Sequence, residues 1–125
     1  MQLTQQPPGA GLFIRRVGDK GITVVDRELV RSFALSPERV LEEWPPVSPA
    51  SIDAAAMEQL LALAPVVVLL GTGARLSRPP LATIAPLLTR GIGCEVMDNA
   101  AAARTFNVLA SEGRKVVAAF VLPAA

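Results

Sequence analysis

The segment that most constrains this fold is an apolar run between a proline and a glycine. Residues 66–70 read Val-Val-Val-Leu-Leu, with Pro65 before them and Gly71 after them. This run is far shorter than the roughly 20 apolar residues that a membrane-spanning helix requires. A β-branched run without polar residues is typical of a strand that is covered on both faces. Because helices usually cover such strands, the run predicts an α/β domain.

Two helices are predicted on either side of this strand. Either Ser51 or Asp53 can cap the first helix, and Pro65 ends it. The second helix ends at Gly91, and Pro86 within it predicts a kink or a late start. Each helix has apolar residues at helical spacing, which we expect to face the sheet. These residues are Met57, Leu60, Leu61 and Ala64 in the first helix and Leu81, Ile84, Ala85 and Leu88 in the second.

The last third of the chain continues the alternation of strands and helices. Residues 94–97 predict a short core strand, and Asp98 is placed to cap an alanine-rich helix over residues 99–111. Gly113 closes this helix, and residues 116–122 predict the final strand. Right-handed crossovers between these strands put the helices on the faces of the sheet.

The first third of the chain predicts a β-hairpin layer. Residues 12–17 and 22–25 have strand patterns on either side of a turn that is rich in Gly and Asp. Alternating apolar residues over 29–35 predict one further strand. Residues 1–10 have the composition of a loose tail. We therefore predict a single α/β domain over residues 11–125, with a central mixed sheet.

The composition excludes several kinds of site. The chain has no His and one Cys, which excludes Ser-His-Asp and Cys-His catalysis, His-based zinc sites and an internal disulfide. A net charge of +1 and five aromatic residues disfavour nucleic-acid binding. We therefore expect no metal, no cofactor and no nucleic-acid partner.

The N-terminal sequence and the single Cys predict where the protein is found. Residues 1–10 have neither the basic region nor the apolar run of a secretory signal. One free Cys is typical of a reducing compartment. We expect a cytoplasmic protein without membrane insertion. Its high apolar content also leaves surface for a homo-oligomer.

The Gly71-Thr72-Gly73 turn has two interpretations. It is a tight turn at the end of a strand, or its amides hold an anion together with Arg75 and Arg78. Leu76 stands where a dinucleotide fingerprint requires a third glycine, and no Gly-Lys-Ser/Thr sequence follows. The sequence therefore favours the structural interpretation.

Polar residues on the last helix are a second candidate site. Arg104, Asn107 and Ser111 share one face, which is either solvated or part of a polar cluster with Glu112 or Asp98. Asn is unfavourable inside a helix, which indicates that Asn107 makes a hydrogen bond.

Two further residues need an interpretation of their own. Cys94 has no basic neighbour in sequence that would lower its pKa, and it is expected to be an inert thiol in the core. Trp44 precedes Pro45-Pro46, and it is either a lid on the core or an anchor for a partner.

Three segments together resemble the Mth938-domain family, which includes the mitochondrial respiratory complex I assembly factor 3. They are Leu-Leu-Gly-Thr-Gly at 69–73, Arg-Gly-Ile-Gly-Cys-Glu-Val-Met at 90–97 and Ala-Arg-Thr-Phe-Asn-Val-Leu-Ala-Ser-Glu-Gly-Arg at 103–114. The resemblance extends over residues 21–122 and takes in Trp-Pro-Pro at 44–46. Phe106 stands where the family usually has Tyr, and Asn99 stands where Thr is common.

The resemblance implies a fold and a kind of function. The family fold is a three-layer α/β domain (β+α/β/α) with a central mixed sheet and an additional β layer. Its eukaryotic members act in respiratory-complex assembly without known chemistry, so the resemblance supplies no catalytic residue. The recurring motif positions that it marks are Gly71, Gly73, Arg104, Asn107, Glu112 and Arg114.

Two functional hypotheses follow. The first is a non-enzymatic protein that binds protein partners as an assembly or accessory factor. The second is an anion-binding or small-metabolite-binding protein, or an enzyme, that uses the Gly71–Arg78 loop with Arg104 and Asn107. The second hypothesis requires that these groups meet in one pocket.

Overall fold

The computed structural model describes residues 11–123, so the predicted tail at residues 1–10 lies outside the described residues. Strands and helices alternate after an N-terminal group of strands, as the sequence predicts. The strands are β1 (Ile14–Val17), β2 (Ile22–Val24), β3 (Arg27–Leu29), β4 (Phe33–Leu35), β5 (Val40–Leu41), β6 (Val67–Gly71), β7 (Gly93–Met97) and β8 (Val116–Phe120). The α-helices are α1 (Ala54–Leu61), α2 (Leu81–Thr89) and α3 (Asn99–Ser111).

The strands of the described chain form two sheets. The antiparallel sheet has the order β1-β2-β3, and the five-stranded mixed sheet has the order β5-β4-β8-β6-β7. Strand β6 is parallel to both β7 and β8, whereas β4 is antiparallel to β8. Strand β6 of the apolar run thus lies between two parallel neighbours, and it has Leu69 in the core on one face and Val68 and Leu70 in the core on the other, which confirms the prediction of a strand covered on both faces.

Two hydrophobic cores make the domain three-layered. On one face of the mixed sheet, α3 and the three-stranded sheet cover a core that includes Ile22, Phe106 and Phe120. On the other face, the helical layer covers a core that includes Met57 of α1 and Leu87 of α2. The predicted three-layer α/β fold with a β-hairpin layer is confirmed.

Local signals in the sequence place the N-termini of α1 and α3 correctly, with Asp53 as the cap of α1. The Asp53 carboxylate accepts a hydrogen bond from the Ala56 N–H at 2.8 Å, and Asp98 accepts one from the Ala101 N–H at 2.8 Å. Each cap satisfies an N–H group that has no partner inside the helix. Within residues 11–123, no helix combines the length and the apolar character needed to cross a bilayer.

Trp44 is a lid on the core, as one of its two interpretations predicts. Its side chain is 2% exposed, and its Nε1 donates a hydrogen bond to the Ala56 carbonyl at 3.0 Å. This bond ties the proline-rich connector to the first turn of α1. The indole N–H therefore has a protein partner inside the core.

The predicted strand over residues 29–35 is wrong as a single element. The chain leaves the three-stranded sheet after β3 and enters the mixed sheet at β4. Ser32 fixes this crossing, because its hydroxyl donates to the Leu122 carbonyl at 3.1 Å and accepts from the Leu122 N–H at 2.8 Å. The alternation in the sequence continues across the break because Leu29 of β3 and Phe33 and Leu35 of β4 face the same core from two different sheets.

The predicted inner face of α2 is wrong at Leu81 and Leu88, whereas Ile84 packs against the core as predicted. Leu87 is completely buried, whereas Leu81 is 72% exposed and Leu88 is 50% exposed. The helix has no charged residue and runs continuously through Pro86. Because apolar residues occur all round it, their spacing does not identify the side that faces the sheet.

Two smaller predictions need correction. Helix α1 ends at Leu61, and Ala64 lies beyond it, exposed and with a φ of 55°. Pro65 disfavours helical backbone at the residue before it, so the helix ends early. Strand β7 is the edge of the mixed sheet and not a central strand. Cys94 is accordingly half-buried.

Candidate functional site

Asn99 is the centre of a polar junction where β6, β8 and α3 meet. Its Oδ1 accepts a hydrogen bond from the Gly73 N–H at 3.0 Å, and its Nδ2 donates to the Val121 carbonyl at 3.1 Å. The Asn99 N–H also donates to the Gly73 carbonyl at 2.8 Å. The side chain is buried, so these bonds hold the Gly-Thr-Gly turn against the first turn of α3.

Gly71 is required at this junction because Asn99 occupies the space beside it. A Cβ atom on Gly71 would overlap with Asn99 Oδ1 and would lie 3.1 Å from Phe120 Cδ1. Gly73 has a different requirement, since its φ of 112° is unfavourable for a residue with a side chain. The two motif glycines therefore have structural roles.

Thr72 organises the loop that follows. Its hydroxyl donates a hydrogen bond to the Arg75 carbonyl at 2.7 Å and accepts one from the Ser77 N–H at 3.0 Å. The Thr72 N–H donates to the Met97 carbonyl at 2.9 Å. The Thr72 hydroxyl, the Thr72 N–H and the Gly73 N–H therefore all donate to groups of the protein itself. An anion at the turn would need these same donors.

Arg75 and Arg78 are exposed beyond this turn. Among residues 11–123, the two ion pairs involve other side chains, namely Arg27 with Glu42 and Arg90 with Glu58. An anion site at Arg75 and Arg78 stays a prediction, and it would depend on the two guanidinium groups.

Asn107 fastens α3 to the N-terminal sheet. Its Oδ1 accepts a hydrogen bond from the Ile14 N–H at 2.8 Å, and its Nδ2 donates to the Ile14 carbonyl at 2.8 Å. The side-chain amide thus pairs with the backbone of β1 as a neighbouring strand would. The predicted hydrogen bond of Asn107 is confirmed, and its partner is backbone 93 residues away in sequence.

The other polar motif residues of α3 do not gather around Asn107. Arg104, Glu112 and Arg114 are exposed, and none of them is in either of the ion pairs described above. Phe106, at the position where the family usually has Tyr, is completely buried in the core. The polar face of α3 therefore consists of one residue that holds the fold together, Asn107, and charged residues that are exposed to solvent.

The four cavities found in residues 11–123 do not bring the motif residues together. A cavity of about 490 Å³ lies near the C-terminal ends of α1 and α3, and Glu38, Arg114 and Lys115 are among the residues that line it. Thr72, Arg75 and Arg104 are not among the residues that line this cavity or the three smaller ones detected in residues 11–123. Of the polar positions that the sequence singles out, Ser111 and Arg114 line the largest of the four.

Cys94 has the properties of an unreactive thiol. Burial and the neighbouring Glu95 carboxylate raise the pKa of Cys94 to about 11. The thiol is therefore protonated at neutral pH and is a poor nucleophile. Within residues 11–123, no group of three or more Cys, Asp or Glu side chains is placed to hold a metal ion.

Sequence reasoning missed Asn99 and Ser32 as structural residues. Both are buried polar residues whose side chains bond to backbone far away in sequence. The sequence contains a weak signal for Asn99, because a glycine directly after a buried strand indicates that another group comes close. Nothing near Ser32 in the sequence identifies Leu122 as its partner.

Solved structures with the same architecture define the class of this protein. A Xanthomonas campestris protein solved by NMR is 45% identical, with a TM-score of 0.82 over 98% of this chain and 92% of that chain. A Bordetella pertussis protein described as an Mth938-like domain is 34% identical, with a TM-score of 0.78 over 97% of this chain and 92% of that chain. The fold is therefore that of the Mth938-like domains.

The sequence itself identifies the family. Residues 14–121 match the profile of the family described as "Protein of unknown function (DUF498/DUF598)", and the chain belongs to this family. It is also 32% identical to NADH dehydrogenase [ubiquinone] 1 alpha subcomplex assembly factor 3 of Danio rerio. That similarity covers 100% of this chain and 72% of the zebrafish protein. The resemblance to the Mth938-domain family is confirmed.

Proposed function

We propose that this protein is an assembly or accessory factor that acts by binding other proteins and not by catalysis. The observation that carries the proposal is the similarity to NADH dehydrogenase assembly factor 3 along the whole of this chain. By analogy, the process that it serves is the assembly of an NADH dehydrogenase. The proposal includes a cytoplasmic location, which cell fractionation tests.

The use of the polar motif residues supports a binding role. The side chains of Asn99, Asn107 and Thr72 form hydrogen bonds with the protein's own backbone. Cys94 has a pKa of about 11 and supplies no thiolate near pH 7. These motif residues therefore stabilise the fold, and the exposed surface of the protein is available to contact partners.

Deletion of the gene from a cell that carries it tests the proposal. The amount of fully assembled NADH dehydrogenase on a native gel should fall, while the mRNA levels of its subunits stay unchanged. Re-expression of the wild-type chain should restore assembly. Normal assembly in the deletion strain would exclude this role.

A matched variant tests the non-catalytic part of the proposal. Cys94 is the single thiol of the chain. Cys94→Ala removes the thiol with a small change in volume, so it should restore assembly as well as the wild-type chain does. Loss of complementation by a folded Cys94→Ala protein would indicate thiol chemistry and contradict the non-enzymatic role.

A further inference from the structure

The largest of the four cavities lies where three distant parts of the chain meet. Ser36 and Pro37 follow β4, and Leu63 follows α1. Arg114 and Lys115 lie between α3 and β8. We call it the helix-end cavity, and its volume of about 490 Å³ is in the range of about 300–1,000 Å³ that small-molecule sites occupy.

Part of the wall of the helix-end cavity is aliphatic. Val116 belongs to the hydrophobic core beneath α3, and Ala110 packs against the same core. Leu63 packs against the core on the other face of the mixed sheet. No aromatic side chain of residues 11–123 lines the cavity. The wall is therefore held in place by both cores, and it suits a hydrocarbon group better than a flat ring.

The charged side chains of the cavity are two cations and one carboxylate, with a net charge of +1. They are Lys115, Arg114 and Glu38, all of them exposed. None of the three takes part in the two ion pairs found among residues 11–123. The charged residues next to them in sequence, Arg39 and Glu112, do not line the cavity and have opposite charges. A ligand with one negative charge is therefore electrostatically complementary to the lining.

Neither cation is needed to complete the end of α3. Basic side chains often bond the last carbonyl groups of a helix. In α3, however, the carbonyls of Val108, Leu109 and Ala110 accept hydrogen bonds of 3.0–3.2 Å from the backbone N–H groups of residues 112–114. Both cationic side chains are therefore available for a ligand. Because the negative end of the α3 dipole opposes a bound anion, a single carboxylate requires both cations.

We propose that the helix-end cavity binds a small aliphatic carboxylate. The Arg114 guanidinium pairs with the carboxylate through two parallel N–H groups, and the Lys115 ammonium adds a second positive charge. The hydrocarbon group of the ligand lies against Leu63, Ala110 and Val116. This site goes beyond the proposed assembly function and does not depend on it.

The same lining disfavours two other classes of ligand. A phosphate ester or a dicarboxylate carries two negative charges, and the Glu38 carboxylate and the end of α3 oppose the second of them. A nucleoside base is usually bound by stacking on aromatic side chains, which the described lining lacks. A monocarboxylate with a short hydrocarbon group matches both the net charge and the aliphatic wall.

An NMR titration of the ¹⁵N-labelled full chain with isovalerate, at constant pH and ionic strength, tests the proposal. We expect a dissociation constant below about 1 mM and shifts of the amide resonances of Leu63, Arg114 and Val116. Isovaleramide has nearly the same shape without the charge, so it should bind at least about tenfold more weakly. Acetate lacks the branched hydrocarbon group and should also bind at least about tenfold more weakly.

Paired substitutions test the two cations. Arg114→Gln combined with Lys115→Gln should weaken isovalerate binding at least about tenfold, because it removes both positive charges from the lining. Arg16→Gln combined with Lys20→Gln is the matched control. It changes the net charge by the same amount at exposed residues that line none of the four cavities. The control should bind isovalerate as the wild type does, and circular dichroism checks that both variants are folded.

The third charged residue of the lining gives a test with the opposite sign. Glu38→Gln should strengthen isovalerate binding by about two- to fivefold, because it removes a negative charge from an exposed position near the carboxylate. The Glu38 backbone N–H bonds to Ser36 Oγ at 3.3 Å, and the substitution leaves this backbone bond in place. A nonspecific change in the surface would not raise the affinity.

Several results would overturn the proposal. They are equal binding of isovaleramide, tighter binding of inorganic phosphate than of isovalerate, amide shifts located away from the cavity, and unchanged affinity in the variant that lacks both cations. Weaker binding in Glu38→Gln would overturn it as well, because Glu38 would then hold the ligand. The absence of saturable binding below about 10 mM isovalerate would reject the site.

Discussion

The substitution Asn107→Ala should destabilise the protein by separating α3 from the N-terminal sheet. The Asn107 amide makes two hydrogen bonds of 2.8 Å to the backbone of Ile14, a residue that is 5% exposed. Each bond contributes about 1–1.5 kcal/mol net, because the truncated side chain leaves Ile14 with unpaired groups. Alanine regains about 0.6 kcal/mol of helix propensity. The expected loss is about 2 kcal/mol of the free energy of unfolding.

Urea unfolding followed by circular dichroism at 25 °C measures this loss. In a domain of this size, about 2 kcal/mol corresponds to a decrease in Tm of about 8 °C. Hydrogen exchange gives a local readout, since the Ile14 amide loses its acceptor and should exchange faster than in the wild type. Both effects follow from the loss of the same two bonds.

The control for Asn107→Ala is Arg104→Ala on the same helix. Arg104 is exposed and has no ion-pair partner among the described residues, so its truncation should change stability by less than about 0.5 kcal/mol. The reasoning is refuted if the two variants unfold at the same urea concentration, or if the Ile14 amide keeps its exchange rate in Asn107→Ala.

Three further predictions concern other parts of the candidate site. The pKa of Cys94 is raised from 9.0 to about 11, so between these pH values the folded protein keeps a proton that the unfolded chain releases. The free energy of unfolding should therefore fall as the pH rises from about 9 to about 11. This fall should be absent in Cys94→Ala. Gly71→Ala should cost about 1–3 kcal/mol, and Asn99→Ala should remove part of that cost in a double-mutant cycle; strict additivity would contradict the overlap. If Arg75 and Arg78 hold an anion, phosphate or sulfate should raise the Tm of the wild type but not of the double alanine variant, and an unchanged Tm rejects the site.

Local chemistry was enough to predict most elements of the fold. Asp53 and Asp98 accept hydrogen bonds at the starts of α1 and α3, and their side chains are close in sequence to the N–H groups that they cap. Residues 67–70 of the apolar run lie in the central strand β6, because an uninterrupted apolar segment is most stable in a strand that is covered on both faces. Such features depend on a few consecutive residues, and a sequence contains them directly.

The failures occur where the decision is made by distant contacts. Both Leu81 and Leu87 are apolar residues of the uncharged helix α2, and the choice of the buried one depends on where β7 and α1 lie. The strand predicted over 29–35 divides at Ser32 because Leu122, 90 residues away, fixes the crossing between sheets. Periodicity describes a segment and does not contain the positions of its neighbours.

For the candidate site, the sequence determined which residues are unusual but not what they do. It singled out Gly71 after a buried strand and Asn107 inside a helix, because each conflicts with the local preference of its element. The tertiary structure supplied the reasons, which are the Asn99 side chain beside Gly71 and the Ile14 backbone beside Asn107. Hydrogen bonds and close contacts join residues that are far apart in the chain. Only the tertiary structure therefore determines that these polar groups stabilise the fold, and that one flank of α2 and the edge strand β7 are exposed.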